Sequence, residues 1–124
     1  MANEANITLQ IQQLKKTVDE TDAIVIGAGA DDAFVEDAGW NAAAQRYSAF
    51  LEAHQTGKVL YLELGVGGNT PVIIKYPFWR YTYANPDATY ACVNFGEAYA
   101  HTSIQDRSIL IDADIDLVLD ELVG

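Results

Sequence analysis

Val59-Leu60-Tyr61-Leu62-Glu63-Leu64-Gly65-Val66-Gly67-Gly68-Asn69-Thr70-Pro71 is the stretch whose reading decides the fold. It passes from an apolar strand into a glycine turn, and then into a hydroxyl residue followed by proline, the order that starts a helix. The same order occurs earlier, where Ala23-Ile24-Val25-Ile26 runs into Gly27-Ala28-Gly29-Ala30. Strand, glycine turn and helix in succession are how an α/β sheet exposes backbone N–H groups to a phosphate. Two such turns on neighbouring strands face one crevice, where a dinucleotide pyrophosphate could sit. Glycine after a strand also serves a tight turn with no ligand at all, and Asn69-Thr70-Pro71 caps a helix in either case.

Working outward, Ile7, Leu9, Ile11, Leu14 and Val18 fall mostly at helical spacing, which predicts an amphipathic helix over residues 6–20. Strand 1 is expected at 22–27. A second helix over 41–54 carries Trp40, Ala43, Ala44, Tyr47, Phe50 and Leu51 toward one face, with Gly57 as its stop. Strand 2 follows at 58–64. Pro77 comes too soon for a long undisturbed helix after Pro71, so a short helix at 71–76 with a kinked continuation to 83 is expected. Asn85-Pro86-Asp87 reads as a turn. Strands 3 and 4 are expected at 89–95 and 108–112, and a last helix at 114–122. Four nearly continuous apolar strands separated by helices predict an α/β, Rossmann-like three-layer domain with a short parallel sheet.

The chain has 124 residues, enough for one domain, 1–124, with a single core. No apolar run approaches the ~18 residues that cross a bilayer, so no membrane partner is expected. Met1-Ala2-Asn3-Glu4 lacks the basic start of a signal peptide, and a cytoplasmic location is expected. Eighteen acidic against seven basic residues give a net charge of −11. That argues against nucleic acid as a partner, because its affinity comes mainly from cations on phosphates. Cys92 sits within a strand and reads as a buried, inert thiol. One cysteine and two distant histidines, His54 and His101, do not make a zinc site. Both histidines are expected to be solvated, His54 near a helix end and His101 in a loop. Tyr76, Phe78, Trp79, Tyr81 and Tyr83 read as core and interface packing rather than a base-stacking platform.

From the second strand onward the residues form a long ordered series. Leu62 to Pro71 leads into Ile73-Ile74-Lys75-Tyr76-Pro77-Phe78-Trp79, then Asn85 to Tyr90, Val93-Asn94-Phe95-Gly96-Glu97-Ala98 and Arg107-Ser108-Ile109. Together with Asp22 to Ala30, this series resembles the sirtuins, most closely their macrodomain-linked class. The resemblance covers residues 10–122 and implies a Rossmann-type NAD domain with NAD-consuming chemistry, deacylation or ADP-ribosyl transfer. In such proteins a long segment separates the first glycine turn from the helix that begins near Trp40. It holds the cofactor-covering loop, the small domain and the polar residue that works on the ribose. Here Gly29-Ala30 passes through Asp31-Asp32-Ala33 straight to Phe34 and Trp40. Breaking the nicotinamide–ribose bond needs a walled pocket and a positioned polar group, so no catalytic residue is assigned.

What the resemblance leaves is a half-site for NAD or ADP-ribose, weakly held. It implies Gly27, Ala28, Gly29 and Ala30 along the pyrophosphate, with Gly65, Val66, Gly67, Asn69 and Thr70 toward phosphate and ribose. Asn94 would meet the adenine-side ribose, and Phe95, Asp114 and Ile115 would flank the adenine. Ala113 replaces the usual glycine there. Asp31 and Asp32 oppose an anion beside them, at about 1–4 kcal/mol for a carboxylate ~4 Å from a phosphate. Two further readings stay open: a residual NAD-consuming enzyme whose pocket is rebuilt in a dimer, and an interaction scaffold that binds no nucleotide. Losing the segment also turns strand 1 from a central strand into an edge. Its apolar Ile24, Val25 and Ile26 predict a homodimer through the 22–27 edge.

Overall fold

The computed structural model describes residues 2–28, 38–65, 74–96 and 98–123, with side chains described from residue 6 and not for 28, 38–44 or 123. In chain order the elements are α1 (Ala2–Glu20), β1 (Ala23–Ala28), α2 (Ala38–Ala53), β2 (Val59–Leu64), α3 (Lys75–Ala84), β3 (Thr89–Val93), a 3₁₀ helix η1 (Thr102–Arg107), β4 (Ser108–Ile111) and α4 (Ile115–Val123). The four strands are all parallel and lie in the order β1-β2-β3-β4. The sheet is therefore contiguous, and among the described residues β1 is an edge that pairs with β2 alone.

Side-chain alternation along the strands splits the core into two layers. Leu60, Leu62, Ala91, Val93, Ile109 and Ile111 point to one face, where Ile11 and Leu14 of α1 and Val118 of α4 cover them. Ala23, Val25, Val59, Tyr61, Tyr90 and Cys92 point to the other, under Phe78 of α3 and Ile104 of η1. In α1 the residues that pack are Ile7, Ile11, Leu14 and Val18, whereas Leu9 is turned to solvent. Gln10 Nε2 donates to the Leu110 carbonyl at 2.7 Å, tying α1 to the far edge strand.

The observed elements differ from the sequence expectations in three places. Helix α3 starts at Lys75, and the first helical bond in that turn is Phe78 N–H to the Ile74 carbonyl at 3.0 Å. Pro77 thus occupies the first turn, whose N–H groups have no helical acceptor anyway, so no kink is needed. Residues 71–73 of the expected short helix lie outside the described residues. Strand β3 ends at Val93, and Gly96 then turns the chain at φ 83°. No expectation covered η1: His101, exposed and outside any element as expected, stands just before it, and its ring accepts from the Ser103 N–H at 3.1 Å.

The face expected on α2 is only partly packed. Among its described side chains Tyr47 and Phe50 are exposed and Leu51 joins the α3-side core, while those of Trp40, Ala43 and Ala44 lie outside the described residues. His54 follows the helix, with its ring 4.2 Å from Phe50 and its Nδ1 2.8 Å from the Phe50 carbonyl. The turn at Asn85-Pro86-Asp87 is as expected: Asn85 Oδ1 accepts from Asp87 N–H at 3.1 Å, and Asn85 Nδ2 donates to Gly57. Arg107 Nη1 reaches the carbonyls of Thr82, Asn85 and Ala88 at 2.8, 2.8 and 3.1 Å. One cation thereby gives the Thr82 carbonyl, in the last turn of α3, a donor and ties that turn to the loop leading into β3. Among the described residues no helix is long and apolar enough to cross a membrane.

Candidate functional site

All four strands run the same way, so their carboxyl ends form one edge of the sheet, the place where open α/β sheets bind ligands. Gly27 and Ala28, read from the sequence as part of a turn, are the last two residues of β1, and parallel register sets them beside Glu63 and Leu64 of β2, which Gly65 follows. Gly65, Asn94, Phe95, Asp114 and Ile115 stand at the same edge, after β2, β3 and β4. Gly29, Ala30, Val66, Gly67, Asn69 and Thr70 lie outside the described residues.

The two described glycines have structural reasons to be glycine. A Cβ on Gly27 would lie 2.6 Å from Ile74 Cγ2 and 3.1 Å from the Phe78 ring. Gly27 therefore lets the α3 N-terminus seat closely against β1. Gly65 has φ +68°, and a Cβ there would lie 2.5 Å from Ile115 Cδ1. Its N–H donates to the Val93 carbonyl at 2.8 Å, so within the site it supplies the turn rather than a donor. Ile115 packs on Gly65, which joins the β4–α4 side of the edge to the second glycine turn.

Carboxylates dominate the far end. Asp112 Oδ1 accepts from the Gly96 N–H at 2.5 Å, and Asp114 Oδ1 from the Asp116 N–H at 2.9 Å, which caps α4. Asn94 N–H donates to the Ile111 carbonyl at 3.1 Å. Phe95 is 79% exposed, a large apolar ring left in water beside these groups. The arrangement offers a ring to stack on and turns that admit close approach. It brings no described cation to an anion.

A polar cluster that the sequence reading missed lies directly beneath this edge. Lys75 Nζ meets Glu63 Oε1 at 2.5 Å, and both side chains are 0% exposed. The Tyr90 hydroxyl donates to Glu63 Oε2, and Lys75 Nζ lies 3.3 Å from the same hydroxyl. Cys92 Sγ stands 3.7 Å from both Lys75 Nζ and Glu63 Oε1. Tyr99 lies over the ammonium at 4.6 Å to the ring centroid. Trp79 stands edge-on to Tyr90, with its Nε1 buried and without a hydrogen-bond partner. Burial, then Cys92 and the Glu63 carboxylate, push the Tyr90 hydroxyl far above the ordinary phenol range. Burial and then Glu63 also push the Cys92 thiol up, against an opposite pull from Lys75. Cys92 is therefore a neutral, buried thiol, as its place in a strand suggested. The signal for the cluster was present in the sequence: Glu63 interrupts the apolar run of β2, and a carboxylate there needs a buried partner.

No protein-family model matches the chain. Over 90 residues it is 46% identical to a protein ADP-ribosyltransferase of Staphylococcus aureus strain Mu50. The match takes in 73% of this chain but only 29% of that protein's length.

Proposed function

We propose that this chain is a sirtuin-like module that holds ADP-ribose, or the ADP-ribose half of NAD, at the carboxyl edge of its sheet. The observation that carries the reading is the register of β1 on β2, which sets the Gly27-Ala28 end of β1 beside the strand end that Gly65 follows, with Phe95 exposed just after the neighbouring β3. Likeness to a protein ADP-ribosyltransferase supports a ligand of the ADP-ribosyl class. The pyrophosphate would run between the first and second turns, and Phe95 would stack on the adenine. Affinity is expected to be weak, because Asp112, Asp114 and Asp116 stand at this edge and a pyrophosphate brings further negative charge.

No described residue pairs a base with a nucleophile at this edge, so binding without turnover is the proposed activity. Thermal unfolding with ADP-ribose and NAD tests it, since a ligand that binds the folded state raises the midpoint with concentration. Nicotinamide release from NAD is the companion assay. A midpoint shift without release supports the binding module; release above background supports a residual enzyme. Absence of both supports a scaffold with a spent site.

A homodimer through β1 is part of the same proposal. Among the described residues the outer edge of β1 has no partner strand, and Ile26 of β1 is 58% exposed. Antiparallel pairing of two such edges would extend the sheet and cover both isoleucines.

A further inference from the structure

A second concave surface lies between α3 and η1, built from residues that take no part in the carboxyl-edge site. Tyr76, Trp79, Arg80 and Tyr83 line it from the helix, with His101 and Ser103 opposite, around a cleft of about 710 Å³. That volume is within the range of small-molecule sites. The helical residues recur at spacings of three, four and seven, so one face of α3 presents them all. The Tyr76 and Trp79 rings are 5.3 Å apart at 47°. Trp79 is braced by Tyr99 at 5.7 Å and 75°, and by His101 at 6.1 Å and 55°. Behind it, Phe78 is fully buried on the same helix. The platform is thus held rigid from within.

Its outer rings are left in water. Tyr76 is 44% and Tyr83 66% exposed. Single exposed apolar groups are ordinary, but several rings gathered around one concavity mark a binding surface. The charge around them is unusual for this chain. Against a net −11, the titratable side chains lining the cleft other than tyrosine are, among the described residues, Arg80 and His101, with no carboxylate. Lys75 is committed to Glu63, and Arg107 to three carbonyls. Arg80 is exposed and enters no ion pair among the described residues.

Stacking surfaces beside an uncommitted guanidinium select one kind of ligand. We infer that the α3–η1 cleft binds a planar aromatic molecule bearing one anionic group. Its ring lies on Tyr83 beside Trp79, one turn away on the same face, and Arg80 takes the anion in a bidentate, charge-assisted contact. His101 and Ser103 offer hydrogen bonds from the opposite wall. The site is independent of the carboxyl edge and does not rest on nucleotide binding there.

Titration of ¹⁵N-labelled protein with 1-naphthoate, 1-naphthyl phosphate and the neutral 1-naphthalenemethanol tests this. The reporters are the Trp79 indole N–H, assigned by its loss in Trp79→Phe, and the His101 ring. Saturable shifts with the two anions, and weaker ones with the alcohol, are expected. Arg80→Gln should weaken the anions by about tenfold and leave the alcohol unchanged. Tyr83→Ala should weaken all three. Both changes fall on exposed positions, so matching melting curves for the variants separate lost binding from lost structure. Equal affinity for anion and alcohol overturns the inference, as does an unmoved Trp79 resonance. So does broadening at Trp79 that depends on protein concentration alone, which would make this face a self-association surface.

Discussion

Glu63 and Lys75 stand twelve residues apart in the chain, yet their side chains meet at 2.5 Å with neither exposed to solvent. One is the penultimate residue of β2 and the other the first of α3. The pair therefore pins the strand end to the helix start across the intervening glycine segment. Removing a single partner strands a charge in the interior, at a cost of about 3–5 kcal/mol, whereas removing both together is far cheaper. Lys75→Met should thus lower stability by about that amount, and Glu63→Gln combined with Lys75→Met by clearly less. Urea unfolding of the single and double variants measures the difference.

Stability should fall at alkaline pH. The Cys92 thiol is raised in the folded state, so the unfolded chain loses that proton first and its unfolding is favoured as pH rises. The contribution is complete below the ordinary thiol pKa of about 8.5 and declines above it. Tyr90, raised more strongly, adds a second decline above about 10. Cys92→Ala should abolish the first decline and weaken the second without removing it, since burial and Glu63 still raise Tyr90, when unfolding free energy is followed from neutral to alkaline pH.

Gly65→Ala should be more disruptive than Gly96→Ala. Both positions have positive φ, which costs a non-glycine residue about 1–2 kcal/mol. At Gly65 the new methyl would also meet Ile115 at 2.5 Å, while at Gly96 nothing lies within 4 Å. The overpacking adds about 1–3 kcal/mol. Chemical unfolding of the two variants without ligand should show the gap, because its cause is packing and backbone strain rather than lost binding.

Ile26→Lys is the informative change at the β1 edge. Val25 is 4% exposed under α3, so a charge there would unfold the domain instead of testing assembly. A lysine at the exposed Ile26 should convert a dimer to monomer with little change in the far-ultraviolet spectrum. A wild-type chain that sediments as a monomer at tens of micromolar would end the dimer proposal.

Strand positions, their parallel direction and their burial on both faces were legible because nearly continuous apolar runs alternate with segments of helical period. Ile11, Leu14 and Val18 marked the buried stripe of α1, and the apolar runs of β2 and β3 marked strands covered on both faces. What escaped depends on contacts between distant residues. The sequence carried no reading of Lys75, around which the fold brings Glu63, Tyr90 and Cys92. The kink expected at Pro77 vanished because α3 starts later than Thr70-Pro71 suggested. η1 was invisible to periodicity, being a 3₁₀ segment of six residues headed by His101. At the carboxyl edge, the sequence placed Gly27 and Gly65 at strand ends. Only the packing of Ile74, Phe78 and Ile115 on them separated the needs of the fold from those of a ligand.

The most direct measurement is a titration of ¹⁵N-labelled protein with ADP-ribose at low and moderate salt, followed through backbone amides. The half-site predicts saturable shifts confined to residues 27–30, 65–70, 94–96 and 114–115, weakening as salt rises. An unchanged spectrum at millimolar ligand, or shifts centred elsewhere, would contradict it.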